Sequence, residues 1–584
     1  MNKKTIIAPI LSAAILFPTA TNVFAAPYKE LPVKSLDFIG MEAPSTAKEK
    51  SAMYTEAQVK VTLANGQEVI KDLTYSHLAK PGEKINGKVV GASYDVNGNE
   101  IKDKNGNTIY STSPDMNSLL TVNGKSGKLY LVNHFEGMPD NEIGEMPKAV
   151  YLNTVVQDKK TGALKITDIH PIDFSADGGI WTPCAGVLSP WNTHLGSEEY
   201  EPDARDFEAD PENNDVTEFA KNYYQDPNAI GNPYLYGHTT EISVHPNGEA
   251  KAVKHYSMGR LSFENVAVAP DNRTVYIGDD GGYVIPFMYV ADKAGDLSSG
   301  SLYAAKFNQT SAENGGAGEL KWIKLGHATD EEVKQLAEDL SFSDIFEATE
   351  DKAYAQANGF TTIKTTAGVE YLKVKPGMEK AAAFLESRRY GAMLGATSEF
   401  NKMETLTFNK ADNKVYMAMS YIEKAMLENP NDPVDDIRLP KLSAGAIYQM
   451  NIEDKQVDRE GNPINSDYIV TDMEAIITGE DLPTRDSLGN TANPDKMANP
   501  DNIVFSEELR TIFIAEDSGM HTNNFGWAYN VDTKQLERIF SAPDGGEVTG
   551  FQAINDLNGH SYLMVSSQNP GNIGYVQLPT VDKK

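Results

Sequence analysis

A strand–turn–strand unit recurs along the chain and limits the folds that the chain can adopt. Each copy has a hydrophobic strand, a polar turn and a second strand with an aromatic or apolar centre. The turns are rich in Asp, Asn and Gly, as tight hairpins require, and 270–272 and 411–413 are examples. The five copies pair residues 119–122 with 128–132, 266–268 with 273–278, 405–408 with 414–417, 503–505 with 510–514, and 551–554 with 561–564.

Short paired strands that recur through a long chain are typical of the blades of a β-propeller. The irregular spacing between copies argues against a solenoid, and a β-sandwich is the alternative that the pattern leaves open. A length of 584 residues suggests several domains, but closed β architectures often exceed that expectation. We therefore expect an all-β propeller that forms one domain over residues 26–584.

Two segments interrupt the repeats, roughly residues 195–237 and 327–395, and we expect both to be insertions over one mouth of the propeller. Residues 330–348 have acids at the start and apolar residues at near-helical spacing, which predicts a helix. Residues 377–394 are rich in Ala and carry Arg388 and Arg389 where a helix C-terminus would favour them. Residues 200–237 are rich in Asp, Asn and Pro and are predicted to be irregular.

The first residues carry the pattern of a secretory signal. Lys3 and Lys4 precede an apolar run, and small residues up to Ala25 predict a signal peptide over 1–25, cleaved after Ala25 by the general secretory route. Pro9 and Pro18 bracket an apolar run that is too short for a membrane anchor. We therefore expect a periplasmic or extracellular protein.

Acidic residues dominate the charge balance. The chain has 52 Lys and Arg against 83 Asp and Glu, a net charge of −31. This excess excludes a basic nucleic-acid-binding face, because phosphate backbones are bound through Lys and Arg. It favours a soluble monomer, and surplus carboxylates can hold hard cations.

Several acids stand at one repeated position, directly before the first strand of a unit. They are Glu264, Glu404, Asp501 and Glu547. Because the innermost strands of a propeller run roughly parallel to its axis, these acids are expected to meet at one mouth of the channel. There they would repel one another unless protonated or bridged by cations, which favours a polyvalent metal site. Ordinary surface turns are the alternative interpretation.

The chain has one cysteine, Cys184, in a segment rich in Gly and Pro, and the pair Glu198–Glu199 follows it. A lone thiol in a secreted protein is prone to oxidation unless it is buried or coordinated. One interpretation is a small buried hydrophobic residue. The other is a metal ligand, since a soft thiolate suits a transition metal and the surrounding carboxylates suit calcium.

The tract from Cys184 to Glu199 contains Ser189-Pro190-Trp191-Asn192-Thr193 and resembles a signature of the PhoX-type alkaline phosphatases. Further blocks that resemble this family follow its order over most of the chain beyond about residue 119. They are Asn133–His134, 236–242, 259–265, 279–280, 295–297, 499–502 and 546–550.

The resemblance implies a six-bladed propeller with a mixed iron–calcium centre in its channel. Cys184 matches an iron ligand, and Glu199, Glu264, Glu404 and Asp501 match carboxylates of the metal cluster. Glu198 and Glu547 are added as candidate ligands because they adjoin these positions or share their register.

The same resemblance assigns catalytic and substrate-binding roles to Asn133 and Lys402, and a substrate-binding role to Arg260. Asn133 matches a residue that contacts phosphate, and Lys402 stands where the family has an arginine two places before Glu404. The implied activity is hydrolysis of phosphomonoesters at alkaline pH, with phosphodiesters left open, on small phosphorylated organic substrates.

Two other functions remain open at this point. A calcium-dependent lactonase or arylesterase propeller also uses inward acids and asparagines, but it would not need Cys184. A non-catalytic extracellular propeller that binds polymers or partner proteins would hold purely structural metals.

Overall fold

The computed structural model describes residues 31–122, 128–138 and 144–581. The predicted signal peptide lies outside these residues. Strands form most of the described regular structure. Among the described helices, none combines the length and the apolar character that crossing a bilayer requires.

Six four-stranded antiparallel blades surround a central channel. The innermost strand of each blade contacts that of the next, and the sixth contacts the first, so the ring is closed. From the innermost strand outward, blade 1 is Pro114–Thr121, Leu129–Phe135, Ala149–Gln157 and Leu164–Pro171; blade 2 is Gly186–Leu188, His194–Gly196, Thr239–Val244 and Ala250–His255; blade 3 is Val266–Val268, Thr274–Ile277, Phe287–Lys293 and Asp296–Ser311; blade 4 is Met403–Asn409, Lys414–Met419, Ala446–Glu453 and Ile469–Thr478; blade 5 is Pro500–Ser506, Thr511–Glu516, Asn523–Asn530 and Leu536–Asp544; blade 6 is Glu547–Leu557, His560–Gln568, Asn572–Leu578 and Tyr75–Ala79.

The expected six-bladed, all-β propeller is confirmed, and the closed ring excludes the sandwich. The five predicted strand pairs are the inner two strands of blades 1, 3, 4, 5 and 6. Blade 2 was missed because its inner strands, Gly186–Leu188 and His194–Gly196, have only three residues each and each includes a glycine. Such short strands carry too few alternating residues to be recognised.

Two features hold the ring together. Blade 6 takes its outermost strand, Tyr75–Ala79, from the N-terminal part of the chain, which joins the two ends of the fold. Strand Ala317–Thr329 pairs with Asp296–Ser311 of blade 3 and with Ile469–Thr478 of blade 4, so these two blades form one continuous sheet. Both features cover strand edges that would otherwise be free to pair elsewhere.

The remaining regular structure lies outside the blades. The N-terminal region has a three-stranded sheet and a short helix, and the second insertion has five helices and another three-stranded sheet. In the N-terminal region the sheet strands are Val33–Ile39, Gln58–Leu63 and Glu68–Asp72, and the helix is Ala47–Lys50. In the second insertion the helices are Asp330–Asp339, Phe342–Ile345, Lys352–Ala357, Glu379–Leu385 and Ser387–Met393, and the strands are Phe346–Thr349, Thr361–Thr365 and Gly368–Val374. Two further strand pairs are Lys84–Ile85 with Lys88–Val89, and Gly282–Val284 with Phe400–Asn401.

Two details of the predicted insertions were wrong. Residues 200–237 contain helices Ala204–Ala209 and Asp215–Tyr224. Asp203 and Asn214 are their N-caps and accept hydrogen bonds from backbone N–H groups of the first turn, so the polar residues that suggested a loop start helices instead. In the second insertion the helix breaks at Glu386, and Arg388 and Arg389 therefore lie in the first turn of a helix.

A buried histidine ties the second insertion to blade 2. His255 Nδ1 lies 2.8 Å from Asp330 Oδ2 at the start of an insertion helix, and Nε2 lies 2.9 Å from Glu241 Oε2 in the neighbouring strand. Burial alone lowers the pKa of His255, but the hydrogen bonds to Asp330 and Glu241 raise it to about 9. The ring therefore stays an imidazolium at neutral pH.

This contact predicts a pH-dependent term in stability. The folded-state pKa exceeds the ordinary value of 6.5, so the stabilisation is complete below pH 6.5 and is lost as the pH rises through 9. Its size is about 3 kcal/mol. Denaturant unfolding of wild type and His255→Gln from pH 6 to 10 should show this extra loss in wild type alone. The exposed pair His327–Asp292 supplies the control His327→Gln, and parallel profiles for wild type and His255→Gln would contradict the assignment.

Candidate metal centre

Buried acids from several blades meet around Cys184 in three overlapping groups. In each group, one candidate ligand atom per residue lies within 4.8 Å of the others. Cys184 belongs to two groups, and so does Glu264. The three groups are therefore connected and together contain seven residues. We call these residues the acidic cluster: Asp115, Glu136, Cys184, Glu199, Glu264, Glu404 and Asp501.

A shared backbone irregularity aims three of these acids. In blades 1, 4 and 5 the pairing of the innermost strand shifts register at its first residues, where Asp115, Glu404 and Asp501 lie. Such bulges redirect a side chain at the end of a sheet and are common beside functional sites. The repeated unit therefore delivers an equivalent acid from each of the three blades to the same mouth of the channel.

Several carboxylate oxygens here are buried and have no hydrogen-bond partner among the described residues. They are both oxygens of Glu199, Oε2 of Glu404, Oδ1 of Asp501 and Oδ2 of the adjacent Asp280. A buried polar atom without a partner costs free energy, and a buried charge costs more. Bound cations would satisfy all of these oxygens together, so the residues fit a site for polyvalent metal ions.

The electrostatics lead to the same conclusion. Burial raises the pKa of Glu199, Glu264, Glu404 and Asp501 well above the usual carboxyl range, and neighbouring carboxylates raise it further. Burial and the Asp115 carboxylate likewise raise the pKa of Glu136 to about 7. Without cations these groups cannot all be ionised at once.

Cys184 lies inside the cluster and is only 4% exposed. Its Sγ is 3.0 Å from Asp115 Oδ2 and 3.2 Å from Glu264 Oε1. Burial, Asp115 and Glu264 raise the pKa of the thiol well above its usual range. A small hydrophobic core residue would be surrounded by apolar side chains, whereas this thiol faces carboxylates. The donor set is one sulfur among many oxygens, which suits a transition metal beside harder cations.

The structure places Cys184, Glu199, Glu264, Glu404 and Asp501 together, as the sequence predicts. Glu547 is half-buried and lies outside the three groups. It is nevertheless a neighbour, because Gln568 Nε2 lies 2.7 Å from Glu136 Oε2 and 3.4 Å from Glu547 Oε1.

Glu198 is not part of the cluster, which corrects its prediction as a ligand. Its side chain forms a fully buried ion pair with Lys254, Nζ to Oε1 2.8 Å, and accepts backbone hydrogen bonds from Trp181, Gly237 and His238. Successive side chains of an extended segment point to opposite sides. Only one residue of the Glu198–Glu199 pair can therefore face the channel, and that residue is Glu199.

Asn133 lies in a ladder of asparagines in blade 1. Its Nδ2 donates to Asn117 Oδ1, and its Oδ1 accepts from Asn153 Nδ2 at 2.5 Å. Asn117 Nδ2 in turn donates to the Gly550 carbonyl oxygen of blade 6 at 3.0 Å. The amide of Asn133 is thus engaged within blade 1, and Asn117 continues the ladder to blade 6. This placement does not support a direct contact of Asn133 with phosphate.

Lys402 lies at the edge of the cluster with 22% of its side chain exposed. Its Nζ is 3.1 Å from Glu404 Oε1 and 3.9 Å from Asp280 Oδ2. Glu404 raises the pKa of Lys402 well above its usual range, although burial alone would lower it. The backbone adopts φ 39°, and the hydrogen bond from its N–H to the Gly281 carbonyl (2.7 Å) helps to fix it there.

A cavity of about 360 Å³ adjoins the cluster at Asp280, and the two insertions form most of its wall. Arg388 ties the second insertion to blade 3, donating to both oxygens of Asp279 (2.6 Å each) and to Glu201 (2.7 Å). The side chain of Arg260 lines the same cavity, but it donates to the carbonyls of Tyr236 and Pro202. The lining residues are Tyr200, Glu201, Asp203, Asp206, Arg260, Ser262, Asp280, Gly281, 365–367 and 385–389.

No site role was predicted from the sequence for three acids of this site, Asp115, Glu136 and Asp280, although Asp280 lies in the block 279–280 noted above. Asp115 follows the same rule as Glu404 and Asp501, because each is the second residue of an innermost strand. It was overlooked because the strand starts at Pro114, before the apolar residues that mark it in the sequence. Glu136 was overlooked because it lies two residues beyond the Asn133–His134 block, after the apolar Phe135.

A model of the alkaline phosphatase PhoX family matches residues 160–571. The solved structure of Pseudomonas fluorescens PhoX in complex with vanadate, a transition state analogue, aligns with a TM-score of 0.56 and 17% identity, over 93% of this chain and 98% of that chain. More distant structures include a putative 6-phosphogluconolactonase from Bacteroides uniformis (TM-score 0.29, 10% identity, 88% and 97% covered) and Trypanosoma rangeli sialidase (0.33, 8%, 87% and 59%). No curated protein matches significantly in sequence. Because the family model spans more than half of the chain and the fold agrees with a PhoX structure over nearly its full length, this chain belongs to the PhoX alkaline phosphatase family.

Proposed function

We propose that this protein is a secreted, metal-dependent phosphatase that hydrolyses phosphomonoesters at alkaline pH. The proposal rests mainly on the acidic cluster, in which buried oxygens of Glu199, Glu404 and Asp501 lack hydrogen-bond partners and one thiol lies among the carboxylates. Membership of the PhoX family supports it, as does the fold shared with a protein solved with vanadate. Phosphodiesters are a second substrate class to be tested in the phosphatase assay described below.

The donor set suggests which ions the site would take. Cys184 would hold iron together with nearby carboxylates, and the all-oxygen group of Glu264, Glu404 and Asp501 would hold calcium. When bound, such cations supply electrostatic stabilisation of the negative charge on a phosphoryl group in an in-line displacement. A protein with a net charge of −31 needs this local reversal of charge to bind an anionic substrate.

Lys402 would orient the phosphate from the solvent side of the cluster. Its ammonium group is part exposed and already held between Glu404 and Asp280, so it can donate to a phosphoryl oxygen without rearranging. A lysine supplies a point charge without the bidentate fork of an arginine.

The cavity beside Asp280 would hold the alcohol part of the ester. Its volume of about 360 Å³ suits a small organic group. Arg388 and Arg389 both form ion pairs with carboxylates. They would therefore form part of the cavity wall instead of binding the phosphate. We propose that the protein acts as an exported monomer after removal of residues 1–25.

The test of the proposed function combines an activity assay with Lys402 variants. Protein supplied with iron and calcium should hydrolyse p-nitrophenyl phosphate at alkaline pH and should not hydrolyse lactones. Lys402→Ala should lower kcat/KM by about 100-fold, since removal of one group that stabilises charge costs that order, while the thermal midpoint changes little. Lys402→Arg should retain activity or raise it. Lactone hydrolysis without phosphatase activity would overturn the proposal, and a fully active Lys402→Ala would remove Lys402 from it.

A further inference from the structure

Two buried histidines link Cys184 to blade 1 and are absent from the roles assigned above. His134 is in the second strand of blade 1, His194 is in the second strand of blade 2, and neither is exposed. His134 Nδ1 lies 2.7 Å from the Cys184 carbonyl oxygen. The two Nε2 atoms are 2.7 Å apart, and His194 Nδ1 is 2.9 Å from Ser118 Oγ.

These contacts determine which group donates in each of the three hydrogen bonds between Ser118, His194, His134 and Cys184. A carbonyl oxygen only accepts, so His134 Nδ1 carries a proton and donates to Cys184. A neutral His134 then has a bare Nε2, which accepts from the N–H at Nε2 of His194. His194 Nδ1 is left as an acceptor for the Ser118 hydroxyl. The sequence of donors therefore runs from Ser118 through His194 and His134 to Cys184.

The backbone around the two rings is shaped to admit them. A Cβ atom on Gly186 would lie 2.6 Å from His194 Cε1, and a Cβ on Gly196 would lie 2.6 Å from His134 Cε1. The rings meet edge to face, with centroids 4.7 Å apart and an interplanar angle of 82°. A larger residue at either glycine would push the rings apart, so the pair occupies a site that the two glycines leave open.

The bond to Cys184 connects two parts of the cluster. Within the Cys184 loop, the carbonyls of Thr182 and Ala185 accept from the N–H groups of Glu199 and Ser197, both in blade 2. The Cys184 carbonyl instead accepts from blade 1, through a histidine two residues before Glu136. His134 thus connects the Cys184 main chain to blade 1. Blade 1 also supplies Asp115 and Glu136, which form one group with the Cys184 thiol.

We propose that His134 and His194 are positioning residues that hold the Cys184 main chain, and with it the thiol, in register with the carboxylates of blade 1. His134 makes the contact, and His194 keeps the Nδ1 proton of His134 directed at Cys184 by donating to its other nitrogen. The inference rests on the proposed ligand role of Cys184, but thiol access in the metal-free protein tests it separately.

The test compares His194→Phe with His194→Gln. Phe keeps a ring of similar size but lacks both nitrogens, whereas the terminal amide of Gln can still donate to His134. In metal-free protein, His194→Phe should raise the rate at which Cys184 reacts with an aromatic disulfide reagent by at least about tenfold. In iron-loaded protein it should speed iron loss to a chelator by about the same factor. His194→Gln should stay close to wild type in both measurements.

His238→Phe is the matched control, because His238 is equally buried and immediately precedes the third strand of blade 2 but bonds the Tyr234 carbonyl. Rates for His194→Phe equal to those for His238→Phe would overturn the proposal. Should His194→Phe fail to fold, the thiol reaction rates of the near-isosteric pair His134→Asn and His134→Leu test the proposal instead. Only the Asn side chain can donate a hydrogen bond to the Cys184 carbonyl oxygen. The Leu variant should then react faster, and equal rates would overturn the proposal. If wild type binds no iron, the proposed metal role fails while the thiol rates still decide this inference.

Discussion

Cys184→Ser is expected to remove iron from a protein that still folds. The substitution replaces a soft thiolate with a harder and normally neutral hydroxyl, and it changes the volume very little. Removal of groups that only orient a metal ligand costs about 10- to 100-fold in affinity or activity, so loss of the ligand should lower kcat/KM by at least about 100-fold. The chain has one cysteine, so no intrachain disulfide is lost.

Elemental analysis, the visible charge-transfer band and the circular dichroism spectrum of the variant measure this result. Calcium should be retained in part, because Glu264, Glu404 and Asp501 form a group without sulfur. In native wild type the coordinated thiol should also resist thiol reagents. A serine variant that stays coloured, iron-loaded and fully active would mean that Cys184 is a packing residue.

Removal of the cations by prolonged dialysis against EDTA is expected to abolish activity and lower the thermal midpoint together. The carboxylates of the acidic cluster come from blades 1 to 5, so without cations the repulsion acts directly on the ring. Ligands present at 100 to 1,000 times their Kd stabilise by about 3–4 kcal/mol each. A fall of about 5 °C or more in the midpoint is therefore expected.

Glu264→Gln gives this prediction a sharper form, because Glu264 belongs to two of the three groups. In metal-free protein the change removes one of several mutually repelling acids, so the midpoint should equal or exceed that of wild type. In metal-loaded protein it removes a ligand, so the midpoint and the activity should fall.

The control for Glu264→Gln is Glu516→Gln. Glu516 is a fully buried carboxylate that lies outside the cluster. Its partners are His521, the Trp527 indole N–H and the backbone N–H groups of Ala498 and Phe525. This variant should lose stability equally with and without metal. If Glu264→Gln behaves in the same way, the cluster does not hold cations.

Much of the fold could be predicted because each hairpin carries its own signal. Alternating apolar residues and Asn- or Asp-rich turns identify a strand pair regardless of its surroundings. Blade 2 escaped because its inner strands are short and each gives one position to a glycine, Gly186 or Gly196, that leaves room for a histidine ring. The space that the two histidine rings need therefore replaced apolar residues that would have identified these strands in the sequence.

The site was predictable where an acid precedes a strand, and less so where tertiary contacts decide. Glu198 and Glu199 cannot be told apart by composition, and only the buried Lys254 shows which carboxylate is used elsewhere. Asn133 has the residue type of a phosphate contact, but its partners Asn117 and Asn153 come from neighbouring strands. Such pairings depend on register, which the sequence of one strand does not contain.

We propose that the acidic cluster holds polyvalent cations and that Cys184 is an iron ligand. The most direct measurement is elemental analysis of native protein purified without chelators, wild type beside Cys184→Ser. We expect stoichiometric iron and calcium in wild type, and calcium without iron in the variant. Wild-type protein that is folded, active on phosphomonoesters and free of stoichiometric polyvalent metal would contradict it.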